Sequence, residues 1–285
     1  MSKIQDAIRR AQFSAAVTEP SSPAEVIQAP SIAPSVEPDI IYAPAPEWTY
    51  SGRKIEIDKQ ALIATGFLGP DESNERIISE YRPIKHAVLQ GVMAQGQLAL
   101  PLGNLIMVSS AVAEEGKTFL CLNLAMSMAA DTRCSVVLVD SAVANPRLSE
   151  VLGAQTDTGL TDWIADSALK IEEMISPTDI PGLAVLPIGQ QREKTSELLS
   201  DKHLHDRLVR IAAEDPQRIF LFDSSSVIKS RAASSLVENV GQVLFVVRAG
   251  ETGRSLVRKA LAELGWGRPV YVVLNQAPAG DEPFM

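Results

Sequence analysis

From Asn104 onward, short runs of continuously apolar residues alternate with amphipathic ones. Leu105–Val108, Val136–Val139, Leu183–Leu186, Ile219–Phe222, Val243–Val247 and Val270–Leu274 are rich in Val, Ile, Leu and Phe. Runs of this length and composition read as strands covered on both faces. Helical patterns lie between them, for example Ser196–Ile211 and Arg254–Leu264. The alternation predicts an α/β fold, a parallel sheet flanked by helices and closed by right-handed crossovers.

The upstream chain has a different pattern. Residues 72–95, ESNERIISEYRPIKHAVLQGVMAQ, bring Ile77, Ile78, Tyr81, Ile84 and Val88 near one stripe, which predicts a helix. Pro83 lies inside it and is expected to kink or divide it. Seven of the 18 prolines (Pro20, Pro23, Pro30, Pro34, Pro38, Pro44 and Pro46) crowd into one stretch with Ser, Ala and Glu. Such a stretch has little to bury, and 13–50 reads as a flexible linker. Before it, Ile4, Ala7, Ile8 and Ala11 recur at helical spacing among Lys3, Arg9 and Arg10, a short amphipathic helix over 1–12. A frayed helix is the simpler reading; a docking helix for a partner or an anionic membrane surface is the sharper one. The expected organisation is therefore 1–12, linker 13–50, an N-terminal helical extension and oligomerisation region 51–100, and a phosphate-loop domain 101–280.

Composition narrows the class. The chain has 285 residues, 46% apolar and 21% charged, ordinary for a globular protein. With 26 basic and 35 acidic side chains the net charge is −9, which argues against nucleic acid as a partner. No apolar run reaches the ~18 residues of a membrane span, and the start, MSKIQDAIRRAQ, lacks the features of a secretory signal. Two cysteines, Cys121 and Cys134, exclude a disulfide framework and point to a reducing cytoplasm. His86, His203 and His205 are too few and too scattered for a metal cluster.

The chemistry follows the first strand. Residues 105–125, LIMVSSAVAEEGKTFLCLNLA, read strand, loop, Gly116-Lys117-Thr118 and apolar helix. This is the setting of a phosphate-binding loop: amides at the helix start surround phosphate, Lys117 neutralises charge, and the Thr118 hydroxyl suits Mg²⁺. The strict G-x-x-x-x-G-K-[ST] pattern fails, because Ala111 holds its first glycine position. Asp140 and Asp223 each end a strand. Ligands of open parallel sheets sit beyond the carboxyl ends of the strands, so either acid could hold Mg²⁺ or orient a nucleophile. One such Asp would pass for a turn residue; two beside a phosphate loop favour function.

Ten segments then make the core similar to one family: SEYRPIK (79–85), AEEGKT (113–118), NLAMSMA (123–129), VVLVDSAVANPRL (136–148), GLTDWIAD (159–166), LAVLPIGQ (183–190), SELLSD (196–201), IFLFDSSS (219–226), VVRAGET (246–252) and YVVLN (271–275). They resemble the cytoplasmic domain of the bacterial tyrosine kinases of exopolysaccharide synthesis, in particular the exosortase-associated autokinases, within the MinD/ParA-like P-loop group. The resemblance implies binding of ATP with Mg²⁺, tyrosine phosphorylation and control of polysaccharide chain assembly. It makes Lys117, Asp140 and Asp223 the catalytic residues and Thr118, Asp140 and Asp223 the metal-binding ones. Ala113, Glu114, Glu115, Gly116, Lys117, Thr118 and Phe119 become the nucleotide loop, and Asn275 resembles the residue that reads adenine. It further implies a homo-oligomer at the inner membrane, held there by the cytoplasmic tail of a membrane polysaccharide co-polymerase that sets chain length.

The departures from the family pattern are specific. Its loop reads P-G-E-G-K-[ST], but Ala113 and Glu114 stand at the first two positions here. Its D-x-D-x-R becomes Asp140-Ser141-Ala142-Val143-Ala144, and its D-[TS]-P-P becomes Asp223-Ser224-Ser225-Ser226. The oligomerisation pattern Glu-x-x-Arg-x-x-Arg becomes Ser79, Arg82 and Lys85, and the tyrosine-rich tail is replaced by APAGDEPFM. Loss of the second carboxylate at Ala142 predicts a slow kinase that leans on Asp140. The alternatives are a nucleotide-responsive scaffold without kinase activity and a ParA/MinD-type ATPase. The last is disfavoured because Val112 stands where that group has an extra lysine.

Overall fold

The computed structural model describes residues 50–67, 75–94, 96–130, 135–143, 145–190, 199, 202–265 and 267–277. The expected helix over 1–12 and the linker up to residue 49 lie outside the described residues, as do Tyr42, Cys134, Ala144 and Trp266. The described residues belong to one compact unit.

Seven strands form one sheet: β1 (Leu105–Ser110), β2 (Ser135–Asp140), β3 (Ser176–Pro177), β4 (Leu183–Leu186), β5 (Arg218–Asp223), β6 (Gln242–Arg248) and β7 (Val270–Asn275). Their order is β3-β4-β2-β5-β1-β6-β7. All pairings are parallel except the two-residue β3, which runs antiparallel to β4 and carried no apolar signal of its own. The helices are α1 (Lys59–Ala64), α2 (Glu75–Met93), α3 (Lys117–Ala129), α4 (Arg147–Val151), α5 (Leu160–Ala165), α6 (Ile171–Met174), α7 (Lys202–Glu214), α8 (Arg231–Val237) and α9 (Arg254–Leu264).

Alternation along each strand builds two cores. Leu105, Met107, Val137, Val139, Phe220, Phe222, Val243 and Phe245 face α7, α8 and α9, where Leu204, Leu208, Leu236 and Leu264 are buried. Ile106, Val108, Val136, Leu138, Leu221, Leu244 and Val246 face α3, which is buried continuously from Leu120 to Ala129. A helix apolar all round must be covered on both sides, and α2 supplies the outer cover with Tyr81, Val88 and Leu89. Trp163 is buried as a packing anchor, with the Arg207 guanidinium 4.2 Å from its ring centre.

Two expectations are corrected here. Pro83 does not divide its helix: α2 runs unbroken from Glu75 to Met93. Tertiary contacts override the local penalty. Asn123 Nδ2 donates to the Tyr81 hydroxyl (3.1 Å), and buried Gln242 donates from Nε2 to the Val88 carbonyl (3.2 Å). Second, 51–100 does not begin as helix. Its first residues are extended along the β3 edge: Ile55 bridges Thr178 in parallel, its N–H donates to the Pro177 carbonyl (2.8 Å), and its carbonyl accepts from Asp179 N–H (3.2 Å). Gly52 is required in this strap, because a Cβ there would collide with the Ile175 carbonyl.

Candidate nucleotide site

Strands β1 and β5 are neighbours whose onward crossovers diverge, from β1 to β2 on one side and from β5 to β6 on the other. A crevice outside the carboxyl ends of the strands opens at such a point. The loop 111–116 leads from β1 into α3 here. Gly116 caps the helix with φ +91°, and a Cβ there would run into the Asn275 amide, so glycine is needed on both counts. The first backbone bond into α3 is Leu120 N–H to the Gly116 carbonyl (2.9 Å), so the N–H groups that open the helix precede any intrahelical acceptor, whereas Val112 N–H is bonded to Glu115 Oε2. Consecutive free amides at a helix N-terminus form a ready anion site.

Three of the expected residues, Lys117, Thr118 and Asp223, meet at this point. Lys117 Nζ donates to Ser110 Oγ (2.9 Å) and to the Val112 carbonyl (3.2 Å). Burial pulls its pKa down, with Asp223 and Glu115 opposing. Thr118 Oγ1 donates to Asp223 Oδ2 (2.7 Å). Asp223 is 1% exposed, and burial is the main cause that pushes its carboxyl up to about 7, against the Thr118 bond. Its Oδ1 has no hydrogen-bond partner. An orphaned buried carboxylate oxygen beside a threonine hydroxyl fits a hard divalent cation that keeps most of its waters. Among the described residues no group of three or more His, Cys, Asp or Glu could form an all-protein cage.

Asp140 stands in register beside Asp223 on the neighbouring strand, but its carboxylate is occupied. Oδ2 accepts from Ser149 Oγ (2.7 Å) and Ser149 N–H (2.9 Å), and Oδ1 accepts from Ala142 N–H (3.2 Å). Burial raises its pKa, and the two Ser149 bonds act against this. Asp140 therefore pins the turn into α4. Nothing in the spacing pointed to Ser149 as its partner. Asn275 does reach the loop: its Nδ2 donates to the Glu115 carbonyl (2.9 Å), and its Oδ1 accepts from Gln276 N–H (3.0 Å). The Phe119 ring packs on Phe67, centroids 5.1 Å apart. Ala113 and Glu114 are exposed at the loop crest.

Comparison with known proteins now bears on this geometry. No family model matches the chain. The tyrosine-protein kinase ptk of Acinetobacter johnsonii is 24% identical over 212 residues, covering 74% of this chain and 27% of that one. The tyrosine-protein kinase wzc of Salmonella typhi is 28% identical over 145 residues, 51% of this chain and 20% of that one. The succinoglycan biosynthesis transport protein ExoP of Rhizobium meliloti is 27% identical over 165 residues, 55% and 20%. The chain thus spans about a fifth to a quarter of the length of these relatives. The kinase domain of the Escherichia coli tyrosine kinase ETK superposes with a TM-score of 0.60 at 19% identity, over 72% of this chain and 78% of that one. The fold is that of bacterial tyrosine-kinase domains. The MinD protein of Pyrococcus horikoshii, solved with Mg-ADP, shares this fold, with a TM-score of 0.51 at 20% identity, over 62% of this chain and 72% of that one.

Glu114 is the non-glycine residue of this loop with a positive φ. It adopts φ +65°, a left-handed conformation that costs a non-glycine residue ~1 kcal/mol. Its exposed carboxylate adds negative charge where amides should dominate. Glu114→Gly is expected to raise affinity for ADP about 5–10-fold at low salt and to stabilise the fold by ~1 kcal/mol. Calorimetric titration and thermal melting of the two proteins check this; unchanged affinity would mean that the side chain points clear of the ligand.

Proposed function

We propose that this chain binds ATP with Mg²⁺ at residues 113–118 and serves as a protein-tyrosine autokinase module that regulates exopolysaccharide assembly. The observation that carries the reading is that the loop opening α3 brings together Lys117, Thr118 and the open Asp223 Oδ1 at the carboxyl ends of the strands. Thr118 and Asp223 are the residues that would hold Mg²⁺, which when bound would offset charge on the polyphosphate. Lys117 and the amides stabilise charge that spreads during phosphoryl transfer, and this is catalysis by positioning and electrostatics. Of the two acids expected to be catalytic, we assign the larger role to Asp223, because its Oδ1 carries no hydrogen bond while both Asp140 oxygens accept at least one. Asp140 orients the turn that carries Ala142.

The acceptor tyrosine follows from burial. Tyr81 is 6% exposed, and burial pushes its hydroxyl up to about 12. Tyr50 and Tyr271 are half-buried, and burial raises both. None of the described tyrosines is free to enter a neighbouring active site, which leaves Tyr42 or a tyrosine of another protein. Lys85, expected at an oligomer contact, donates to the Ser127 carbonyl within the chain (3.4 Å), while Ser79 and Arg82 are exposed. The partners we assign are a second copy and the cytoplasmic tail of a membrane polysaccharide co-polymerase, with the chain peripheral at the inner membrane. Among the described residues no helix is long and apolar enough to cross a membrane.

A second reading, a nucleotide-responsive scaffold that phosphorylates nothing, is favoured by one observation: both Asp140 oxygens are committed to Ser149 and Ala142. Labelled ATP with Mg²⁺, with and without the partner's cytoplasmic tail, separates the two. Slow phosphotyrosine formation is expected, stimulated by the tail. Binding of ATP with no phosphotyrosine under either condition would establish the scaffold instead.

A further inference from the structure

The loop does not hold its shape alone. Glu115 has its side chain turned inward and is only 1% exposed. Its Oε2 accepts from Val112 N–H (2.7 Å), while Oε1 accepts from Thr252 Oγ1 (2.6 Å) and from Arg248 N–H (3.4 Å). Thr252 belongs to the turn between β6 and α9, 137 residues away in sequence. That turn is itself braced, by Thr252 N–H on the Arg248 carbonyl (3.1 Å) and by the Arg248–Glu251 ion pair (2.9 Å). The Glu115 carbonyl is held from the other side by Asn275 at the end of β7. Main chain and side chain of one loop residue are thus gripped by the ends of two different strands.

We propose that Glu115 and Thr252 form a latch in which the Thr252 hydroxyl, by fixing the Glu115 carboxylate, keeps the loop amides at the start of α3 and Lys117 open to a nucleotide's phosphates. The proposal rests on the nucleotide-site reading given above. An acid in a phosphate loop is a liability unless its lone pairs are spent, because the amides and the lysine meant for phosphate are its own nearest donors. Here those lone pairs are spent on Val112, Arg248 and Thr252, of which only Thr252 contributes a rotatable side chain. Released from that hydroxyl, the carboxylate competes with the ligand for Lys117, whose charge already feels it. The same contact makes the β6–α9 turn sensitive to what the loop holds. Thr252 and Glu115 are positioning residues: neither needs to touch the reacting atoms.

The test is a double-mutant cycle read as affinity for ADP with Mg²⁺ by calorimetry, with thermal melting of each protein alongside. Thr252→Val keeps shape at a half-buried position and is expected to weaken ADP about 10-fold, as for loss of a hydrogen bond to a charged group. Thr252→Ser should restore binding to within about 2-fold, because the hydroxyl returns. In the Glu115→Gln background, where no charge can be released, Thr252→Val should cost less than about 2-fold. Wild-type affinity in Thr252→Val would overturn the latch, as would failure of Thr252→Ser to rescue or an equal loss in the Glu115→Gln background, both marks of plain packing. If Thr252→Val does not fold, Thr252→Ala is compared with Thr252→Ser instead, and equal ADP affinity in those two proteins would overturn the latch. Absence of ADP binding by the wild-type protein is a different result, and it would remove the nucleotide-site reading itself.

Discussion

Asp223→Asn should make the metal-free protein more stable at pH 8, by about 2–4 kcal/mol and of order 5–10 °C in Tm. Asp223 is buried with one oxygen unpartnered, and its folded-state pKa is about 7 against ~3.9 for a free Asp. The raised value means that the folded state binds its proton more tightly than the unfolded chain does. Stability from this group is therefore present below pH ~4 and is lost as the pH rises through about 7. A shift of roughly three units corresponds to ~4 kcal/mol, of which the imperfect replacement of the Thr118 bond takes back ~1. Asparagine carries no charge at any pH, so the variant should be ~1 kcal/mol less stable than the wild type at pH 4, from the Thr118 bond alone, and ~3 kcal/mol more stable at pH 8. Thermal melts across that range check it, and a gap that does not change with pH would mean that Asp223 is not held in a charge-hostile site. Mg²⁺ should stabilise the wild type at pH 8 and leave the variant unmoved. This is the stability cost of keeping an open carboxylate for function.

Lys117→Ala should abolish most nucleotide binding, with ADP affinity down about 100-fold and the melting temperature changed by little. The ammonium sits half-buried among loop acceptors, where its interaction with a polyphosphate is screened less than at a free surface. Loss of a charge-assisted contact of that kind is ~2–3 kcal/mol. The fold loses little, because Lys117 spends its protons on a hydroxyl and a carbonyl that water can satisfy. Calorimetry and melting measured on the same preparations separate the two effects. Equal ADP affinity in both proteins would locate the nucleotide elsewhere.

Some of the site could be read directly from spacing. Gly116, Lys117 and Thr118 between a strand and a helix name themselves, and Asp223 at the end of a buried strand points to the same place. The role expected of Asp140 did not emerge in the same way, because Ser149 lies nine residues on and has no periodic or motif signal. Thr252 was part of a matched segment yet had no role until β6 placed it on Glu115. The edge strand β3 and the strap at Ile55 were invisible for another reason. They are held by backbone hydrogen bonds rather than by an apolar pattern, and such bonds are open to any residue type.

Pro83 shows where local rules end. Its intrinsic penalty is set by its own ring, but the continuity of α2 depends on Tyr81, Val88 and Leu89 being buried against α3, contacts that exist only once the sheet has formed. The amino-acid sequence by itself determined the six long strands, the helices Arg254–Leu264 and Lys117–Ala129, and the strand–loop–helix around Gly116-Lys117-Thr118, because hydrophobic periodicity and a glycine-lysine-threonine turn are properties of neighbouring residues. Tertiary structure alone decided which carboxylate oxygen stays without a partner, which threonine bonds Glu115, and which tyrosines are hidden. Those outcomes depend on hydrogen bonds and burial between residues as much as 137 positions apart, and no local pattern encodes them.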